Sequence, residues 1–202
     1  MTRRIAQAIA ASPPPAKLFM GLILSQHSSL DEIAARLADR FGPIDAESPV
    51  HSFDHTGYYC EEMGPYLKRK FVCFHTLVHA DHLADIKCRT NEMEALIGEM
   101  RGKRLMRRVN MDPGILTLSN VVLATTKNHA HRIYLSQGIF AEVTLIYSRR
   151  AGWQPLDWTY PDYRTPVALD FFNTARERYH RQIRDLTGTD GSGNLDKHQD
   201  RD

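Results

Sequence analysis

Apolar and polar residues occur along the chain in blocks that predict strands and helices. The run KLFMGLIL (17–24) is almost continuously apolar, which is typical of a short buried strand. In the segment SSLDEIAARLADRFGP, Ser29 and Glu32 form a capping box, and apolar residues then recur at the spacing of one helical face. Gly42 and Pro43 end that pattern, so a helix is expected up to them.

Three further strands and a second helix complete the first half of the chain. Strand-like runs occupy about 49–56, 67–74 and 104–110, and the segment TNEMEALIGEM predicts a helix near 91–101 with Thr90 as its cap. The order strand, helix, strand, strand, helix, strand is that of a ferredoxin-like βαββαβ antiparallel sheet. We therefore expect an α+β fold whose first strand is central and whose two helices cover one face.

The second half of the chain is expected to extend this sheet. Asp-Pro-Gly at 112–114 is a favoured turn sequence, and Thr117 is placed to cap a short helix that runs to about residue 126. The segment 131–147 predicts a β-hairpin, and Thr165-Pro166 opens a long C-terminal helix. The predicted fold is thus the βαββαβ sheet extended by a C-terminal hairpin and a long helix.

Length and composition indicate one domain. A chain of 202 residues with 42% hydrophobic and 25% charged residues can bury a single large core. We place this domain at 16–186. A flexible leader is expected at 1–15, where three prolines end the leader, and a disordered tail is expected at 187–202.

The charge balance and the cysteines restrict the class of protein. A net charge of +2 excludes a global field that would draw the chain to nucleic acid or to an anionic membrane. The three cysteines have no C-x-x-C spacing, which fits free thiols in a reducing compartment. No run approaches the roughly 18 apolar residues of a membrane-spanning helix. We therefore expect a cytoplasmic protein that makes no use of a membrane.

The segment TTKNHAHRIYL, at the start of the predicted hairpin, is the leading candidate site. A two-residue turn at Gln137-Gly138 would place Ile133 opposite Glu142 and would put His131 and Glu142 on one face as diagonal neighbours. A carboxylate beside an imidazole can fix its tautomer and raise its pKa, as a general base requires. His131 and Glu142 are therefore catalytic candidates, and a polar sheet edge without a site is the alternative.

Three neighbouring residues suit the binding of an anion, and one acid joins the catalytic set. Arg132 offers a bidentate fork, Lys127 offers a mobile point charge, and Thr126 adds a hydroxyl. Asp112 follows a predicted strand, which is a position where loops often carry chemistry. An ordinary turn is the alternative explanation for Asp112.

Metal binding is a weaker hypothesis. His51 and His55 in the segment HSFDHTGYY have side chains that bind zinc and other divalent ions, and they share one face of an extended strand. Asp54 would point away from that face, so the ligand set is incomplete. The sequence predicts no particular metal, cofactor or oligomeric state.

Basic runs supply the strongest local charge. They comprise Lys68, Arg69, Lys70, Arg101, Lys103, Arg104, Arg107 and Arg108. With nearby tyrosines they could form a face that stacks bases and contacts phosphates, and a solvated strand edge is the alternative. The low net charge predicts that these edges do not bind nucleic acid tightly, since few phosphates would be neutralised.

Several long motifs together resemble one family. They are GPID, YYCEEMGPYLKRKF, KCRTNE, RRVNMDPGILTL, VLATTK, HRIYLSQGIFAEVTLIY and WTYPDYR, in that order. The chain resembles the uncharacterised bacterial family known as domain of unknown function 4416 over about residues 16–175. This resemblance implies a bacterial source but no activity, cofactor or catalytic residue. The nearest approach to a P-loop, GEMRGKR (98–104), is one residue short between its glycines and has Arg104 where Ser or Thr would bind magnesium.

Two function classes follow from these observations. The first is a protein that binds a small anionic ligand, phosphorylated or nucleotide-like, through the residues around His131. The sequence leaves open whether hydrolytic or group-transfer chemistry accompanies binding. The second is a non-catalytic adaptor that binds RNA or a protein partner through the basic strand edges. The first class requires the polar groups to converge in one concave pocket, whereas the second spreads them over a convex face.

Overall fold

The computed structural model describes residues 11–188, so most of the predicted leader and nearly all of the predicted tail lie outside the described residues. The helices are α1 (Leu30–Phe41), α2 (Cys60–Met63), α3 (Leu83–Ile97) and α4 (Pro166–Thr187). The strands are β1 (Ala16–Leu24), β2 (Ile44–Glu47), β3 (His51–Ser52), β4 (Lys68–Val78), β5 (Glu99–Arg101), β6 (Arg104–Met106), β7 (Val109–Leu116), β8 (Asn120–Thr125), β9 (Ile133–Ser136), β10 (Ile139–Ser148) and β11 (Gly152–Pro155). None of the described helices is long and apolar enough to cross a membrane.

Most of the strands form one antiparallel sheet. Its order is β11-β10-β8-β7-β1-β4-β2, with β3 added to β4 and β9 added to β10, while β5 and β6 form a separate hairpin. β1 lies between β7 and β4, and both pairings are antiparallel. The prediction of an α+β fold with a central first strand is therefore confirmed.

Helices cover both faces of this sheet. Alternate residues of β1 point to opposite faces, so Leu18 and Met20 share one core cluster with Ile33 of α1 and Ile86 of α3. Phe19 points the other way, into a cluster built on the apolar stripe of α4. The two predicted helices, α1 and α3, thus pack on one face, as expected, and α4 closes the opposite face.

The capping and stop residues predicted at three helix ends are confirmed. The Ser29 side chain accepts a hydrogen bond from the Glu32 backbone, and Gly42 ends α1 at a positive φ of 92° that favours glycine. The Thr165 side chain caps α4 by accepting from the Ala168 backbone, with Pro166 as the first helical residue. Capping chemistry is local, which is why the sequence alone was sufficient to predict these three boundaries.

Two predictions in the first half are wrong. The segment 49–56 contains only the two-residue strand β3, and the rest of it is loop. The second helix begins at Leu83 rather than at Thr90, which is fully buried inside α3 and donates its hydroxyl to the Lys87 carbonyl. Thr90, which resembled a helix cap, therefore lies within the helix, on the same buried face as Lys87 and Glu94.

Two predictions in the second half are also wrong. Residues 112–114 lie inside β7 instead of forming a turn. Proline is tolerated there because it has no backbone N–H, and β7 has no strand partner on one side at Pro113. Thr117 does not cap a helix. Its hydroxyl oxygen accepts from the Ser119 and Asn120 backbones and closes the turn between β7 and β8.

Candidate functional site

The sheet opens between β7 and β8. These two strands pair only from Gly114 to Leu116, although β7 continues along β1 back to Val109 and β8 continues along β10 as far as Thr125. Pro113 stands where the pairing ends, and its missing N–H leaves no donor unpaired there. The first half of β7 and the second half of β8 therefore border a cleft.

Two side chains of α3 bond to the β7 backbone where β8 does not pair with it. Glu94 accepts a hydrogen bond from the Met111 backbone N–H at 2.7 Å, and Lys87 donates to the Met111 carbonyl at 2.7 Å. Both side chains are at least nine-tenths buried. Burial raises the pKa of Glu94, although Lys87 acts in the opposite direction. This ionic pair keeps the β7 backbone satisfied while the cleft stays open.

A cavity of about 360 Å³ occupies this cleft. Its charged lining residues are the cations Arg69, Lys87, Arg107, Lys127 and Arg132 and the acids Glu94, Asp112, Glu142 and Asp162. Of the predicted site residues, Asp112, Thr126, Lys127, Arg132 and Glu142 all line it. The structure thus brings together residues from β7, from the loop after β8 and from β10.

Arg69 is a buried cation in this cavity. Its side chain is 1% exposed, and none of its three guanidinium nitrogens makes a well-directed hydrogen bond to the described residues. Its Nη2 lies 2.9 Å from Asp162 Oδ2 and its Nη1 lies 3.5 Å from Asp112 Oδ2, so both contacts are ionic. The Tyr163 hydroxyl is buried beside this guanidinium, and burial raises the pKa of Tyr163 although Arg69 acts in the opposite direction.

Gly21 makes room for this arrangement. A Cβ at Gly21 would lie 2.6 Å from Arg69 Nη2 and 2.7 Å from the Tyr163 hydroxyl oxygen. On β1, Gly21 pairs with Phe71 of β4 and with Asp112 of β7, so its missing side chain leaves a space between these two strands. The guanidinium fills that space, which explains how a full arginine fits inside the sheet layer.

Asp112 carries the most accessible carboxylate of the four acids that line the cavity. Its side chain is 28% exposed, and its Oδ2 accepts from Asn110 Nδ2 at 2.9 Å. Its Oδ1 lies 3.9 Å from Lys87 Nζ, which is beyond hydrogen-bond distance. Asp112 therefore has one carboxylate oxygen that no described side chain or backbone group donates to.

Arg132 and Glu142 hold the loop beside the cleft. Arg132 donates through Nε to Glu142 at 2.6 Å, through Nη1 to the Lys127 carbonyl at 2.9 Å and through Nη2 to the Tyr160 hydroxyl at 3.0 Å. Their side chains are 3% and 1% exposed. This saturated pair orders the loop, so Arg132 has less capacity for a ligand than the sequence suggested.

His131 lies outside the cavity lining. Its ring stacks on Trp158 with centroids 5.1 Å apart, and its Nε2 lies 3.3 Å from Glu142. The predicted imidazole–carboxylate contact is present, but the predicted register is wrong. Ile133 pairs with Ala141 rather than with Glu142, because a bulge follows Ile139.

Lys127 and Thr126 stand at the mouth of the cavity. Both are exposed, and Lys127 Nζ lies 4.1 Å above the Tyr58 ring. Among the described residues Lys127 has no carboxylate partner, whereas the other four lining cations each have one within 4 Å. Lys127 is therefore the least neutralised positive charge of the cavity.

Comparison with known proteins places the chain in a family. The sequence model of the family described as domain of unknown function (DUF4416) matches residues 14–179, which is most of the chain. The protein belongs to this family. No curated protein and no solved structure gave a significant match.

The remaining candidates in this DUF4416 protein are His51 and His55, the P-loop-like segment and the basic runs. His51 is half-buried beside Pro49 while His55 is exposed and lines the cavity, and no group of three metal-ligating residues converges within residues 11–188. The segment 98–104 forms the β5–β6 hairpin rather than a phosphate-binding loop. Several residues of the basic runs are paired with Glu61, Glu62, Glu94 and Glu99.

Sequence reasoning missed the central residues of the DUF4416 cleft. Arg69 was assigned to a basic edge, although strand periodicity puts it on the same face as Phe71 and Cys73, which are core residues. Lys87 and Glu94 are seven residues apart and lie on one helical face with Thr90. Polar residues at core spacing were the signal that could have revealed them.

Proposed function

We propose that this protein binds a small anionic ligand, phosphorylated or nucleotide-like, in the cleft between β7 and β8. The observation that carries this proposal is Arg69. Its guanidinium is 1% exposed, and although two carboxylates and two aromatic rings contact it, none of its five N–H donors makes a well-directed hydrogen bond to the described residues. A phosphate or carboxylate group supplies acceptors in the planar geometry that arginine favours.

Position and size support the same proposal. The cavity volume of about 360 Å³ lies in the range of sites for small molecules, which runs from roughly 300 to 1,000 Å³. Lys127, which has no carboxylate partner among residues 11–188, adds a positive charge at the mouth, and Tyr58 beside it offers an exposed ring. An anion entering the cleft would meet Lys127 first and the buried guanidinium afterwards.

Asp112 is the residue through which hydrolysis or group transfer would act. Of the three acid–base candidates, His131 lies outside the cavity lining and Glu142 is bound to Arg132. Asp112 lines the cavity and keeps one carboxylate oxygen to which no described residue donates. The proposal is therefore first one of binding, with Asp112 as the group that would serve a reaction.

The alternative adaptor function has weaker support. Arg69 and Lys70 are buried inside the sheet, and Arg104, Arg107 and Arg108 are paired with glutamates. A surface that binds RNA needs cations free to contact phosphates. These residues have other contacts, and the prediction that nucleic acid is bound weakly at most is retained.

The proposal also includes the sheet topology and the cellular location. The ferredoxin-like arrangement of the first half is supported by the order β7-β1-β4-β2 with antiparallel neighbours and by α1 and α3 on one face. A cytoplasmic location is supported by the three free thiols of Cys60, Cys73 and Cys88. A bacterial source stays a prediction.

Calorimetric titration at low ionic strength tests the binding function. The probes are inorganic phosphate, glucose 6-phosphate and adenosine 5′-monophosphate, and the variants are Lys127→Ala and Lys103→Ala. Lys103 is a matched control because it is an exposed lysine in the β5–β6 turn, remote from the cavity lining.

We expect at least one organic phosphate to bind at one site per chain. Lys127→Ala should raise its Kd by about two- to fivefold, which is the contribution of one exposed ion pair, while Lys103→Ala should leave the Kd unchanged. The proposal fails if no probe binds, or if the two lysine variants weaken binding equally.

A further inference from the structure

The Asp112 carboxylate restricts what kind of anion can fill the cleft. An ionised carboxylate accepts about four hydrogen bonds, and Asp112 receives one, from Asn110 Nδ2 at 2.9 Å. The two cations beside it, Arg69 and Lys87, lie at 3.5 and 3.9 Å and balance its charge without donating well-directed bonds. Asp112 thus needs a donor from any ligand that displaces water from the cleft, because the described residues provide only one.

A fully deprotonated oxyanion cannot supply that donor, because it carries no hydrogen. Bound at Arg69 alone, it would leave the free Asp112 oxygen to water. A ligand that also places a hydroxyl or amino group against Asp112 supplies the hydrogen bond. Such a ligand has its negative charge at one end and hydrogen-bond donors at the other.

The rest of the lining agrees with a ligand of mixed polarity. Besides the charged residues, the cavity lining includes Asn91, Thr125 and Thr126, which carry an amide and two hydroxyls. Amides and hydroxyls both donate and accept, so they suit the hydroxyl groups of a sugar. A volume of about 360 Å³ is also larger than a single phosphate ion requires.

We propose that the ligand is a polyhydroxylated phosphate ester, of the size of a pentose or hexose phosphate or of the sugar-phosphate part of a nucleotide. Its phosphate lies between Arg69 and Lys127, and at least one of its hydroxyls donates to Asp112. This proposal rests on the proposed anion-binding function and specifies the class of ligand. Asp112 is accordingly a specificity-determining residue in the binding of this ester.

The test compares two phosphate esters of equal carbon number. Ribose 5-phosphate carries hydroxyl groups and pentyl phosphate does not, so their Kd ratio measures the contribution of the hydroxyls. We expect wild-type protein to prefer ribose 5-phosphate by about tenfold or more, because a site with an unpaired acceptor rejects a ligand that lacks the donor. Asp112→Asn should reduce that ratio to less than about threefold, and Asp39→Asn, an exposed control acid on α1, should preserve it.

Each outcome has one meaning. Equal affinity of wild-type protein for the two esters would overturn the ligand class while leaving anion binding intact. Absence of binding of both esters would instead overturn the proposed function. A preference that survives Asp112→Asn would remove Asp112 from the assignment. If Asp112→Asn does not fold, Asp112→Glu keeps the charge and moves the carboxylate by one methylene, and the same loss of preference is expected.

Discussion

Two cations are buried in the same sheet, and they are satisfied to very different degrees. Lys17 of β1 is 0% exposed and uses all three ammonium hydrogens, donating to Asp45 at 2.8 Å, to Gln182 at 2.9 Å and to the Phe74 carbonyl at 3.0 Å. Arg69 of β4 is 1% exposed and makes no directed hydrogen bond with the described residues. Burial is alike at the two sites, but only Lys17 has a complete set of acceptors.

The difference follows from what covers each cation. Lys17 lies under α4, whose Gln182 side chain joins it to the sheet through a further bond to the His75 carbonyl. Arg69 lies beside the opening between β7 and β8, where its contacts are ion pairs with Asp162 and Asp112 rather than well-directed hydrogen bonds. A complete set of partners indicates a structural ion, whereas an incomplete set beside a cavity indicates a site for a ligand.

Replacing Lys17 should have the largest effect on stability. In Lys17→Met the apolar stem is retained, but Asp45, Gln182 and the Phe74 carbonyl lose their donor. We expect the free energy of unfolding to fall by about 3–5 kcal/mol, as measured by urea denaturation. Binding of phosphate esters should be unchanged in the folded fraction. A loss below about 1 kcal/mol would show that the Lys17 cluster is not structural.

Replacing Arg69 should have its main effect on binding. The double variant Arg69→Met with Asp162→Asn avoids leaving the Asp162 carboxylate buried without its cation. We expect the affinity for a phosphate ester to fall by about 1.5–3 kcal/mol, the value of hydrogen bonds to a charged group. The loss of stability should be smaller than for Lys17→Met. Calorimetric titration and urea denaturation of the same preparation measure both quantities, and the reverse order of effects would contradict the comparison.

Removing His131 should have a small effect on both properties. Its ring stacks on Trp158 and contacts Glu142 at 3.3 Å, and it does not line the cavity. In His131→Ala we expect stability to change by about 1 kcal/mol and binding to change little. A loss of binding or turnover at normal stability would restore His131 as a functional residue, as the sequence had suggested.

Cysteine labelling should show how tightly the Lys17 region is closed. Cys73 donates its thiol to Asp45, and burial, with the Asp45 carboxylate next, raises its pKa to about 12. Cys73 therefore stays a protonated thiol at pH 8.5, while exposed Cys60 is free to react. Mass spectrometry after brief iodoacetamide treatment should find Cys60 modified and Cys73 unmodified until the protein is unfolded. Modification of native Cys73 would mean that the region opens readily.

The sequence predicted the parts of the fold that depend on local chemistry. The continuous apolar run of β1, the cap at Ser29 and the cap at Thr165 are each encoded within a few residues. The strand identity of β8 was missed because Thr117 was taken as a helix cap, although Val121 and Val122 favour a strand. Its conformation is fixed by pairing with β10, which is distant in sequence.

The candidate site was only partly predictable for the same reason. Lys127, Arg132, Glu142 and Asp112 were identified from residue type and position, and they do line one cavity. Arg69 could be recognised only by knowing which face of β4 is covered, and the opening of the sheet depends on where β7 and β8 cease to pair. The centre of the cleft is therefore a property of the tertiary fold.

A structure from crystals grown with tungstate tests most directly the central claim that Arg69 binds an anion. The heavy tungsten atom is located by its anomalous scattering. We predict a tungstate ion within hydrogen-bond distance of the Arg69 guanidinium and the Tyr163 hydroxyl, on the side of the cleft that faces Lys127. A cleft that contains only water at saturating tungstate, with those waters joining Arg69 to Asp112 and Asp162, would contradict the account. In that case Arg69, like Lys17, would be a structural ion.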